Sequence, residues 1–193
     1  MKFLAGLSHA ANALSEFRLL NACPPCLVGL GDGGSGYTTL LNALQGSPGG
    51  GTPLCKHVGD IVSQIRTMEP QLRAAGHKAM VVIATDGESS DGDVAEALKP
   101  LRQLPVQLVI RLCTDNETIV DYWNKIDEQV EIDIDVLDDL RGEAEQIHGV
   151  NPWITYGEPI HRMREFGINI KEFDLIDTEK LNLEQVKLVC ATM

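Results

Sequence analysis

The sequence predicts an α/β fold with a doubly wound, mostly parallel sheet and helices on both faces. Three observations lead there. Short apolar, β-prone runs alternate along the chain with helical patterns, the signature of strand–helix–strand units. The run Met80, Val81, Val82, Ile83, Ala84 is continuously apolar between polar neighbours, as in a strand covered on both faces. The 193 residues, 44% hydrophobic and 23% charged, suffice for one domain with a core and are too apolar for a disordered chain.

Each element has its own signal. Residues 2–14 place Phe3, Leu4, Leu7, Ala10, Ala11 and Leu14 at helical spacing. Residues 17–20 and 27–30 are strand candidates, the second entering a glycine-rich stretch from Gly29 to Gly36, and a short helix over 38–44 follows. The clearest helix begins after Gly49-Gly50-Gly51, where Thr52 can cap and Pro53 takes the first helical position. Leu54, Val58, Ile61, Ile65, Met68 and Leu72 then form one apolar stripe. The strand over 80–84 ends at Thr85-Asp86-Gly87. A helix over 93–99 leads to a strand over 107–113, and Asp115 starts a helix carrying Ile119, Val120, a core Trp123 and Ile126. Val130, Ile132 and Ile134 alternate with Glu131, Asp133 and Asp135, which predicts a strand with its acids in water. Leu137, Leu140, Ala144 and Ile147 return to helical spacing, stopping at His148-Gly149. A short helix over 159–165 and a last one capped by Thr178, carrying Leu181, Leu183, Val186 and Leu188, complete the chain, and the segment 151–156, with Trp153 and Tyr156, either packs the extension onto the domain, the favoured reading, or presents an aromatic binding patch. There is no internal repeat. The organisation reads as one domain over 1–148 with a mainly helical C-terminal extension over 149–193.

Composition narrows the function. With 28 acidic and 16 basic residues, the net charge is -12 and the pI near 4.7, so the field repels phosphate backbones and anionic membranes. Neither nucleic acid nor a membrane is expected as a partner. Five cysteines, odd in number and mostly far apart, suit reduced thiols in a cytoplasmic protein better than a disulfide framework. The apolar run after Lys2 stops at Ser8-His9, short of the roughly 7–15 residues that the apolar segment of a signal peptide needs, and no run approaches the ~18 of a membrane span.

Catalytic signatures are weak. Gly29-Leu30-Gly31-Asp32-Gly33-Gly34 has the spelling of a dinucleotide fingerprint, and Gly31 to Thr38 that of a phosphate loop with Tyr37 in place of its lysine. Without that cation, and with Asp32 where a pyrophosphate would sit, the loop loses its electrostatic rationale, and its glycines also serve plain turns. A nucleotide-binding α/β protein using residues 29–38 is the alternative reading. Cys23-Pro24-Pro25-Cys26 has redox spacing but precedes a strand rather than opening a helix. The histidines at 9, 57, 77, 148 and 161 show no His-x-x-x-His pair, and no Gly-x-Ser-x-Gly elbow exists. In the acidic loop of Glu88, Asp91 and Asp93, Asp91 stands where a calcium loop needs glycine. A non-enzymatic protein follows.

Thr52 and Asp86 are the candidate metal ligands, because a hydroxyl and a carboxylate are hard oxygen donors suited to Mg²⁺, and Asp86 follows a strand at the ligand-binding end of a parallel sheet. Gly50-Gly51-Thr52-Pro53-Leu54 opening a long helix, followed by Val81-Val82-Ile83-Ala84-Thr85-Asp86-Gly87, resembles the von Willebrand factor type A domain. The resemblance spans roughly residues 1–148. It implies a Rossmann-like doubly wound fold and a metal-ion-dependent adhesion site built from an Asp-x-Ser-x-Ser motif, a threonine and an aspartate. Thr52 matches the threonine and Asp86 the aspartate. No aspartate here is followed two residues later by serine, so the first motif has no counterpart and the expected Mg²⁺ or Mn²⁺ binding is weak or absent. The resemblance also implies a first strand upstream of Met1, between the strands at 17–20 and 80–84, so the chain reads as a fragment or a degenerate copy. A gap there leaves ladder groups unpaired, and a third reading is that the chain does not fold stably. The implied function is protein interaction, with an acidic side chain of the partner completing the metal. A second surface, for a basic protein partner, is the acidic run of Asp127, Glu128, Glu131, Asp133, Asp135, Asp138, Asp139, Glu143 and Glu145, offset only by Arg141.

Overall fold

In the computed structural model, residues 1–21, 24–47, 49–114, 116–130, 134–167, 173 and 175–192 are described, with the side chains of all but 127, 128 and 190–192. Two units result: Met1–His57 with Ser89–Gly92, and Val58–Glu88 with Asp93–Met193. Residues 149–193, expected as an extension, belong to the second.

The first unit contains α1 (Lys2–Ala10), β1 (Ser15–Phe17), β2 (Cys26–Val28) and α2 (Ser35–Ala43). The helix expected over 2–14 stops at Ala10, because Asn12 turns left-handed with φ 50° and the Ala13 N–H returns to the Ser8 carbonyl at 2.9 Å. β1 and β2 pair antiparallel, from Ser15 opposite Val28 to Phe17 opposite Cys26. Both start a residue or two before their predicted positions. Ala5, Cys26, Val28 and Leu40 form the core, flanked by Phe17, Tyr37 and Leu44, while Phe3, Leu7 and Leu14 are exposed.

The second unit carries α3 (Leu54–Ala75, whose first turn lies in the first unit), β3 (Ala79–Thr85), α4 (Val94–Leu98) with a 3₁₀ turn (Lys99–Gln103), β4 (Val106–Leu112), α5 (Glu117–Val130), β5 (Ile134–Leu137), α6 (Leu140–Val150), α7 (Glu158–Glu165) and α8 (Leu183–Thr192). β3, β4 and β5 form a parallel sheet in that order, with Ala79 to Thr85 in step with Val106 to Leu112. The fold is thus mixed α/β, a three-stranded parallel sheet flanked by helices. The strand covered on both faces is β4, where Val106, Leu108, Val109, Ile110 and Leu112 are all buried. β3, expected in that role, pairs only with β4 among the described residues, and its Met80 is 42% exposed. Along α3 the buried stripe is Leu54, Val58, Val62 and Ile65, while Met68 is exposed. Trp123 is fully buried, as its place on the apolar face of α5 predicts.

Several predicted boundaries move. Asp115 lies outside the described residues; at the start of α5 the Thr118 N–H bonds Asn116 Oδ1 at 3.0 Å. Val130 ends α5 and β5 starts at Ile134, with Glu131, Ile132 and Asp133 outside the described residues. α8 is capped by Asn182, whose Oδ1 accepts from the Glu184 and Gln185 N–H groups, and not by Thr178.

The acidic run is not a single solvated face. Arg164 of α7, 3% exposed, donates from Nη1 to Glu143 Oε2 at 2.6 Å and from Nη2 to Asp135 Oδ1 at 2.9 Å and Asp177 Oδ2 at 3.3 Å. Three carboxyls on one guanidinium exceed its charge. Burial pushes the Glu143 carboxyl above its ordinary pKa, against the pull of Arg164. Arg111 of β4 donates to Glu165 at 2.6 Å, and Tyr156 Oη lies 3.1 Å from Nδ1 of buried His161, whose pKa burial pushes down. Asn151 donates to the Ile176 and Glu179 carbonyls and accepts from the Leu181 N–H. Around these groups Ile147, Tyr156, Ile160, Phe173, Ile176 and Val189 close an apolar cluster.

Replacing Arg164 with Ala strands buried Glu143 beside Asp135 and Asp177 and should cost about 3–5 kcal/mol. The melting temperature is expected to fall by roughly 10 °C. Calorimetry of Arg164→Ala beside Arg141→Ala, whose partner Glu145 is in water, checks this: the second change should leave the transition within about 2 °C.

Candidate functional site

Asp86 lies where parallel sheets bind ligands, just past the carboxyl end of β3. The turn around it is tightly held. Thr85 Oγ1 donates to the Gly87 carbonyl at 3.0 Å and accepts the Gly87 N–H at 3.3 Å, and buried Trp123 donates Nε1–H to the same carbonyl at 3.3 Å. Asp86 is exposed at the tip of this turn in the second unit.

Thr52 belongs to the first unit, where it meets the 89–92 loop. Its N–H donates to Ser90 Oγ at 2.7 Å, and its carbonyl accepts the Ser90 N–H at 2.9 Å. It does not cap α3. That role falls to Asp91, whose two carboxylate oxygens accept the Cys55 and Lys56 N–H groups, each at 2.9 Å, while Ser89 Oγ donates to Oδ1 at 2.5 Å. These bonds, led by Ser89, hold exposed Asp91 down at about 2, below the usual carboxylate range. Asp93 caps α4 by accepting the Glu96 N–H at 3.3 Å. The loop read as an acidic cluster therefore spends two of its acids on helix starts. For Asp93 the sequence held a signal, an acid three residues before Glu96. For Asp91 it held none, because the capped helix lies 36 residues back along the chain.

The glycine-rich loop is filled by its own anion. Asp32 accepts the Gly34 N–H at 2.7 Å and the Gly29 N–H at 3.2 Å, and these bonds, Gly34 first, lower its pKa. The ring of His9 stacks on Tyr37 with centroids 5.1 Å apart and comes within 4.0 Å of Asp32. Two glycines have structural reasons of their own. Gly29 takes φ 105° against the Ala13 carbonyl, and a Cβ at Gly36 would strike the Leu27 carbonyl where α2 packs on β2.

Cys26 is buried in the first unit's core, and Cys26, Cys55 and Cys113 are free thiols; Cys23 and the side chain of Cys190 lie outside the described residues. Among the described residues no three His, Cys, Asp or Glu side chains gather in a metal-binding group, and no helix is long and apolar enough to cross a membrane. A shallow groove of about 510 Å³ runs between α6 and residues 152–156, lined by Ala144, His148, Ile154 and Tyr156, remote in sequence from the predicted ligands. Comparison with protein families, with curated proteins and with solved structures finds no match.

Two outcomes follow. The amide shifts of Cys55 and Lys56 should titrate with Asp91, near pH 2 rather than near pH 4, and Asp91→Asn should remove that titration from the NMR spectrum. Since the folded pKa is the lower one, this cap stabilises the fold above about pH 4 and is lost as pH falls toward 2. Gly36→Ala should destabilise the chain by roughly 1–3 kcal/mol in urea unfolding, from its collision with the Leu27 carbonyl.

Proposed function

We propose that this chain is a non-enzymatic protein-interaction domain similar to von Willebrand factor type A domains, with an incomplete metal-ion-dependent adhesion site. One observation carries the reading: an exposed carboxylate, Asp86, on a clamped turn beyond the end of a parallel strand. The rigid turn presents the charge without an ordering cost when a ligand arrives. Thr52, before the long helix α3, supports the same reading from the first unit.

Mg²⁺ binding normally takes one or two carboxylates together with further oxygen ligands. Asp86 and Thr52 supply one carboxylate and one hydroxyl, which does not fit a resident ion, and partner binding is then independent of metal. The partner is a protein, met at the Asp86 end of the sheet, and the charge of -12 disfavours nucleic acid and anionic membranes. The acidic run contributes less, since Asp135 and Glu143 are bound to Arg164. The same reading places the chain in the cytoplasm. Nucleotide binding at residues 29–38 is the weaker alternative, because Asp32 already holds the amides that a phosphate would take.

Titration calorimetry and thermal melts test the reading together. Mg²⁺ and Mn²⁺ should show no micromolar binding, and neither ATP nor NAD should raise the melting temperature. Micromolar metal binding that disappears in Asp86→Ala overturns the incomplete site. A nucleotide-induced rise that survives Asp86→Ala overturns the reading in favour of the glycine-rich loop.

A further inference from the structure

Within the second unit α7 is seated through a buried histidine. His161 is 2% exposed, and Arg164 and Glu165 of the same helix are buried with it. Its Nδ1 lies 3.1 Å from Tyr156 Oη. Arg164 Nη1 donates to that oxygen at 3.5 Å, and among the described residues Nδ1 is the acceptor left for the phenol's own proton. Tyr156 therefore donates, Nδ1 accepts, and the imidazole is neutral with its proton on Nε2. That Nε2 has no hydrogen-bond partner among the described residues. Glu165 Oε1 stands 3.6 Å from it and already accepts from Arg111 Nε at 2.6 Å, while Glu165 Oε2 accepts from Arg162 Nη1 at 2.6 Å.

The site resists a second proton on the ring. From β4 His161 meets Arg111, from α7 Arg162, Arg164 and Glu165, and from residues 152–156 the phenol of Tyr156. β5, α6 and the stretch before α8 bring Asp135, Glu143 and Asp177, and all three are bound to Arg164. An imidazolium here is a fourth cation whose near carboxylate is Glu165, and Glu165 turns to it only by giving up a guanidinium. It also makes Nδ1 a donor, so the Tyr156 proton loses its acceptor. Burial first, and then the charge of Arg111, push the imidazole below its ordinary pKa.

We propose that His161 is a proton-operated latch: α7 stays seated on β4 and β5 while the imidazole is neutral, and mild acid releases α7 with residues 152–156 while the sheet remains formed. The direction is set by where the ring binds its proton more tightly. Released into water, the imidazole takes a proton near its ordinary value of about 6.5, whereas the seated ring takes it only at lower pH. Release is thus favoured as pH falls from about 7 through 6.5, and the effect levels off below the seated value. The neighbouring carboxyls do not imitate this. Glu143, raised by burial, favours the seated state as it takes up its proton, which is the opposite sign. Glu165, whose burial is outweighed by its bonds to Arg162 and Arg111, has a lowered pKa and acts only below about pH 4.3. β3, β4 and β5 are joined by backbone bonds in continuous register, which no proton in this range breaks, so the opening is local.

Amide hydrogen exchange of the full chain at about pH 7.5 and about pH 5.5, corrected for the intrinsic pH dependence of exchange, tests the latch. Opening of residues 156–167 should rise roughly tenfold between the two, the factor by which a free imidazole gains its proton over that span, while the β4 amides keep their protection. His161→Phe keeps a ring in the space but takes no proton, and should open equally at both values. A tenfold rise that persists in His161→Phe overturns the proposal, as does equal protection of α7 at both values in the unmodified chain, or a loss of protection that takes β4 with it. Should His161→Phe not fold, the unmodified chain still decides by NMR. Its His161 ring should titrate below about pH 6.5, together with the ring of Tyr156, and a midpoint at or above that value overturns the latch.

Discussion

One guanidinium holds the second unit's C-terminal half together. Arg164 projects from α7 into a site where β5 supplies Asp135, α6 supplies Glu143 and the stretch before α8 supplies Asp177. These groups come from three separate segments, and the cation joins them, with Asn151 adding bonds from the end of α6 to the Ile176 and Glu179 carbonyls and the Leu181 N–H. Removing charge from water costs several kcal/mol per ion, and the cost is offset only where geometry satisfies the buried partners. Here the bonds to Glu143 and Asp135 are short, and the surrounding Ile147, Phe173 and Ile176 exclude water. The apolar cluster and the ion network thus depend on one another.

The same logic explains where the chain's acidity goes. A charge of -12 suggests an electrostatic surface, yet many acids answer local backbone demand. Asp91 and Asp93 satisfy the free N–H groups of helix starts, and Asp139 does so for α6 through the Arg141 and Gly142 amides. Asp32 fills the concavity of its own glycine-rich loop. An acid committed to backbone amides is already satisfied and makes a poor ligand for a further cation. Asp86 differs: the turn around it is fixed by Thr85 and Trp123, which bond Gly87 and leave the carboxylate to solvent.

Edge and centre decide what each strand can do. β4, bonded on both sides and covered on both faces, is a purely structural element. β3 has a comparable apolar composition but, among the described residues, pairs only with β4, and it leads into the turn that presents Asp86.

Local rules alone determined much of this molecule: the alternation of helices and strands, the long helix α3, the core position of Trp123 and the placement of Asp86 after a parallel strand. These depend on periodicity and on neighbours a few residues away, which the sequence records directly. That β4 rather than β3 is the strand covered on both faces was not legible, because two apolar runs of similar length look alike until the fold says which of them the helices cover. Nor was the fate of the acids. Asp135 alternates with apolar residues as a solvated strand residue does, and only the folded chain brings Arg164, 29 residues away, against it. Asp91 reaches the start of α3 across 36 residues, and no local pattern encodes a cap supplied from that distance. Sequence spacing specifies what a residue can do within its own element, whereas the partner of a charge is set by which elements come together, and that is a property of the tertiary fold.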